Sequence, residues 1–104
     1  MTARPAPAAM LALLLTALTP LAALADAAAG AQVAQRWCAN CHVIDGAGPS
    51  ASVPQGPPSF HVIAGHLDAD QMRAFLANPH GAMPNLALSR AEIADLIDYI
   101  QSLR

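Results

Sequence analysis

The sequence predicts an all-α fold in one domain, on three observations. Apolar residues make up 55% of the 104-residue chain and aromatic residues only 4%. Ala and Leu supply most of that apolar share, which suits helices and argues against a sheet. Two segments open with a capping residue, Asp68 or Ser89, three positions before Gln71 or Glu92, and continue into apolar positions three and four apart. Between an Ala-rich first segment and Asp68, residues 43–59 carry Gly46, Gly48, Gly56, Pro49, Pro54, Pro57 and Pro58. That composition excludes regular structure, and the length leaves no room for a second domain.

Residues 1–25 read as a secretory signal. Arg4 is followed by an apolar run over 8–18 broken by Thr16, then by Pro20, and Ala23-Leu24-Ala25 places small residues two apart before Asp26. Cleavage after Ala25 is expected, leaving residues 26–104 as the mature domain. The alternative is an uncleaved membrane anchor, but residues 8–25 are only just long enough to span and Pro20 interrupts them. The mature chain sets four arginines against seven acids, a net of −3, and has no lysine. A nucleic-acid partner is thereby excluded, because no polyanion-neutralising surface can be built. So short a chain usually needs a staple besides its apolar core.

Residues 27–37 read as the first helix, with Gly30, Val33, Ala34 and Trp37 on one face. Gly30 lowers helix propensity there, which makes sense if a second helix crosses closely. Next comes Arg36-Trp37-Cys38-Ala39-Asn40-Cys41-His42, the chain's two cysteines three apart and a histidine directly after. This is the attachment signal for c-type haem. Each thiol adds across one haem vinyl group to form a thioether, and His42 lies under the iron as proximal ligand. A thioredoxin-like pair would follow a strand, which is missing. A zinc site would need a fourth ligand, whereas His61, His66 and His80 are scattered. A plain disulfide would leave His42 without a role and close too short a loop to stabilise much.

The long loop over 43–59 is of a length that is usually functional. A short apolar segment, 60–64, leads to Asp68, and residues 69–77 form a helix that buries Met72, Phe75 and Leu76 and stops at Pro79. After Ser89 an apolar stripe runs through Ile93, Leu96, Ile97, Ile100 and Leu103, with Glu92, Asp95, Asp98 and Gln101 turned to water and Arg104 partly offsetting Asp98 at the helix end. Met83 sits in Asn78-Pro79-His80-Gly81-Ala82-Met83-Pro84-Asn85, a stretch too rich in Pro and Gly to be a helix core. Its thioether is the candidate second axial ligand, while Met72 reads as core. His80 reads as a polar loop residue, or else as an alternative ligand under denaturing or alkaline conditions. His61 and His66 are expected to face solvent.

Over residues 27–104 the chain resembles the small bacterial class I cytochromes c. The resemblance rests on the Gly-bearing helix before Cys-x-x-Cys-His, Gly-Pro-Pro-Ser-Phe at 56–60, Met83-Pro84 and the final Leu96-Ile97-Asp98-Tyr99-Ile100. It implies about four helices wrapped round one covalent haem, with the first and last helices crossing where Gly30 meets Leu96 and Tyr99. It also implies that a proline carbonyl accepts the His42 ring N–H; Pro58 matches best, ahead of Pro57 and Pro49. The chain departs from mitochondrial members in Ala34, where they carry a bulky aromatic whose space Trp37 could fill, and in lacking their lysine ring.

The function expected is that of a periplasmic monohaem electron carrier, not an enzyme. Haem c would be held by Cys38 and Cys41, its iron by His42 and Met83, and its partners would be redox proteins. A membrane enters only if the signal stays attached. The alternatives are a permanent haem subunit of a larger periplasmic oxidoreductase, or a haem peroxidase or gas sensor in which Met83 leaves the iron.

Overall fold

The computed structural model describes residues 1–3, 25–46, 56–79 and 81–104. Residues 4–24, read above as part of a secretory signal, lie outside the described residues, as do Pro49 and His80. Four helices follow in order: α1 (Ala27–Trp37), α2 (Phe60–His66), α3 (Ala69–Ala77) and α4 (Arg90–Gln101). Among the described residues there is no strand. The fold is all-α and cytochrome c-like, as predicted.

Each helix starts on a side-chain cap. The Asp26 carboxylate accepts from the amides of Ala28 and Ala29, at 2.8 and 3.3 Å. Both predicted capping boxes are complete: Asp68 with Gln71, and Ser89 with Glu92, each satisfying two otherwise orphaned amides. The segment at 60–64, expected only as a short apolar stretch, is a helix running on to His66. Its cap is Ser59, a buried residue whose Oγ accepts from the Val62 amide at 3.2 Å.

α1 packs chiefly against α4. Their contact is closest at Gly30, where a Cβ would run into the Asp95 carbonyl and stand 2.9 Å from Tyr99 Cβ. The backbone of Asp95 and Tyr99 Cβ are thus the nearest atoms that Gly30 meets. Leu96 lies beneath, fully buried with Val33, Ala34, Ile93, Ile97 and Ile100. Phe60 and Ala64 of α2 and Met72 of α3 complete this core. Of the predicted α3 core, Met72 is buried, but Phe75 and Leu76 are only half-buried because they edge a cavity.

Three expectations need correction. Trp37 is 49% exposed and stands at the edge of a cavity instead of being buried over Ala34. His61 is half-buried, and its Nδ1 lies 2.8 Å from the Leu103 carbonyl, a bond that ties α2 to the end of α4. His66 is exposed, as expected, with Nδ1 turned back to the Val62 carbonyl. Arg104 caps α2 instead of attending to Asp98: its Nε donates to the Ala64 carbonyl at 2.8 Å and its Nη2 to Leu67 at 3.3 Å. A cation there suits the negative end of that helix.

Candidate haem site

The end of α1 sets the first half of the site. Cys38 is the α1 C-cap, and its carbonyl accepts from the amides of Cys41 at 3.1 Å and His42 at 2.9 Å. The turn brings both sulfurs and the imidazole to one cavity of about 590 Å³. Cys38 is buried and Cys41 exposed, so the two thiols meet different surroundings. Burial pushes the Cys38 thiol up.

His42 is held by its back nitrogen. Nδ1 donates to the Pro58 carbonyl at 2.7 Å, which leaves Nε2 with the lone pair that a metal needs. Pro58 is brought there by the Phe60 amide, which donates to the Val43 carbonyl at 2.9 Å and so fastens 58–60 alongside 42–43. The Phe60 ring lies against the imidazole, with centroids 5.6 Å apart, and Tyr99 meets Phe60 edge-on at 6.3 Å. The Tyr99 hydroxyl donates to the Ile44 carbonyl at 2.7 Å. The last helix thus ties down the segment that follows the proximal histidine.

The cavity is also walled by Ile63, Leu67, Met72, Phe75 and Leu76 from α2, α3 and their junction, and by Gly81, Ala82, Met83, Pro84 and Leu86 from the loop before α4. Gly81 has φ +63°, a left-handed conformation natural to glycine, and it turns this loop back over the cavity. Met83 and Met72 both line the cavity. Met72 is 2% exposed within the core, while Met83 is half-buried in irregular backbone.

Cys38, Cys41, His42 and Met83 come together at one cavity, and Pro58 stands behind His42 and also lines it. Sequence reasoning did not assign Phe60 and Tyr99 to the support of His42. The signal was available: only four residues are aromatic, so each has a strong claim on the one large apolar site. Walls almost wholly of carbon suit a flat apolar macrocycle. The donors suit it too, with two thiols on one edge, an imidazole fixed in one tautomer and a thioether. Among the described residues no three of His, Cys, Asp and Glu converge to hold a bare ion.

Comparison with known proteins agrees with this chemistry. The sequence profile of the family described as "Cytochrome C oxidase, cbb3-type, subunit III" matches residues 25–100. Cytochrome c-552 of Bradyrhizobium diazoefficiens is 44% identical over 82 residues, which cover 77% of either chain. No solved structure matches. With a profile running from the cap of α1 into the last turn of α4 and a relative this similar, the chain belongs to the c-type cytochromes of the cbb3 oxidase subunit III family, electron carriers whose cofactor is covalently bound haem c.

Proposed function

We propose that the protein is a periplasmic one-electron carrier whose single haem is ligated by His42 and Met83. The observation that carries this reading is the meeting of Cys38, Cys41, His42 and Met83 at one apolar cavity, with the His42 tautomer set by Pro58. Haem supplies an iron that alternates between ferrous and ferric. The chain's residues keep its surroundings the same in both states. Two thioethers prevent loss of the ring, the Pro58 carbonyl makes the imidazole a stronger donor, and apolar walls with a thioether ligand favour the ferrous form, hence a comparatively high potential. Export is supported by the charged, apolar and small-residue order of residues 1–25 and by a mature domain starting at Asp26, where α1 is capped. No described helix is long and apolar enough to cross a membrane.

A permanent place in a larger oxidoreductase is the second reading, favoured by the matched family's description as an oxidase subunit. Size exclusion of native extract separates the two: a free carrier elutes at its own mass. The ligand assignment is tested by two variants. Met83→Ala should abolish the far-red sulfur-to-iron absorption of the ferric protein, lower the potential and let the ferrous protein bind carbon monoxide. Met72→Ala should keep all three properties and cost about 2–5 kcal/mol of stability, since it empties a buried site. The reverse pattern would overturn the choice of methionine. Acid-acetone should leave the haem on the protein, and haem extracted into the solvent would refute covalent attachment.

A further inference from the structure

The amide of Asp26 donates to Asp95 Oδ1 at 2.7 Å, across 69 positions of sequence. Asp26 is the cap of α1, and Asp95 lies in α4 beside the Gly30 crossing. In the precursor this amide belongs to the Ala25–Asp26 peptide bond and is neutral. Hydrolysis of that bond leaves a carboxylate on Ala25 and turns the same nitrogen into an α-ammonium group, already in contact with a carboxylate.

We propose that Asp95 is a built-in receptor for the mature N-terminus: removal of residues 1–25 converts a neutral hydrogen bond into an ion pair that locks α1 to α4. The proposal rests on cleavage after Ala25, and only cleavage there puts the new charge on this nitrogen. Ala25 is exposed, so the bond is open to a protease. Cleavage one residue earlier or later would leave the ammonium displaced from Asp95 or remove the cap itself.

Two effects oppose each other at this nitrogen. The positive end of α1 disfavours a cation, whereas the Asp95 carboxylate at contact distance and the Asp26 carboxylate that caps the helix favour one. The titratable groups of α4 are Asp95 itself, Asp98, Tyr99, whose hydroxyl is turned to Ile44, and Glu92, which is turned to Ser89. Among the described residues Asp95 has no basic side-chain partner to compete. Direct contact outweighs a partial charge spread over a helix end, so the amine is held above its ordinary pKa of about 7.7–8.0. An amine so raised contributes stability in full below its unfolded value, and that contribution fades as pH rises through the folded value.

The chain has no lysine, so the α-amino group of the processed protein is its one primary amine, and it can be titrated by amine-selective acetylation. Acetylation also restores a neutral amide at the same nitrogen, mimicking the precursor bond. The experiment uses the exported haem protein and begins with its intact mass. An N-terminus other than Asp26 overturns the cleavage reading and the pairing with it. Given Asp26, the rate of acetylation against pH should yield a pKa at least about half a unit higher in the natural protein than in Asp95→Asn, and a shift that shrinks in 1 M salt. Acetylation should lower the Tm of the natural protein and leave that of Asp95→Asn unchanged. Equal titrations with Asp26 confirmed would overturn the pairing alone. Should Asp95→Asn not fold, the salt series on the natural protein decides by itself: a pKa at the ordinary value, unmoved by salt, refutes the lock.

Discussion

Three of the four aromatic side chains, Trp37, Phe60 and Phe75, line the haem cavity, and the fourth, Tyr99, packs on Phe60. Tyr99 serves two structures at once. Its Cβ abuts Gly30 at the helix crossing, while its hydroxyl reaches the Ile44 carbonyl two residues beyond the proximal histidine. Removing the hydroxyl leaves that partly buried carbonyl without its donor, so Tyr99→Phe should cost about 1–2 kcal/mol in thermal or denaturant unfolding of the haem protein. A variant as stable as the parent would show that water replaces the hydroxyl without loss. The cavity-lining motif was legible from spacing alone, because covalent attachment to a rigid ring demands two thiols at a fixed separation and a ligand beside them. The tie from Tyr99 to the segment after His42 was not legible, because nothing local marks a bond between residues 55 positions apart.

At the scale of elements, a cap followed by an apolar period was enough to locate α3 and α4. α2 was missed because seven residues are too few to show a period, and its cap, Ser59, follows two prolines. Gly30 was legible as a crossing, but whether it would meet a side chain or a carbonyl depends on the depth of approach, which no pattern encodes. That depth makes a strong prediction. Ala is the better helix former by about 1 kcal/mol, yet Gly30→Ala should destabilise by about 3 kcal/mol or more, because its methyl collides with the Asp95 backbone and the helices must part. A rise in Tm would contradict the crossing. Glu92 gives the pH dependence. The Ser89 backbone amide donates to its carboxylate at 2.8 Å, and this bond, then the one between their side chains, holds the carboxyl below its ordinary value of 4.5. A depressed folded value means stability that is complete above 4.5 and lost as pH falls through the lower folded value. Glu92→Gln keeps an acceptor for the Ser89 amide but removes the titration. Its unfolding should lie somewhat below the parent near neutral pH, decline less steeply below 4.5 and converge with the parent in acid, as thermal melts across an acid series would register.

For the whole molecule, the rim of the site decides how electrons leave. Ala82 and Pro84 line the cavity and are exposed; Asn85 next to them and Asn40 within the attachment motif are exposed too, Ala39 and Val43 of the same stretch are half-buried, and none of the six is charged. Trp37, 49% exposed at the cavity edge, adds apolar area to this side. Beyond residue 25 the arginines stand at 36, 73, 90 and 104; Arg73 is engaged with Asp70 and Arg104 with the end of α2. Seven acids against four arginines produce a weak field with no single-signed patch at the rim, so long-range steering contributes little to encounter. A small uncharged patch instead favours a brief complex formed by desolvation, in which partners touch over a limited area and separate once the electron has crossed. The rate of reaction with a physiological redox partner should therefore change by less than about tenfold between low and physiological salt, well short of the dependence expected of charge-guided pairs. Stopped-flow reduction across a salt series measures it directly. A fall of two decades would place the docking contact on charged residues away from this rim, and Arg36, next to Trp37, would be the first to replace.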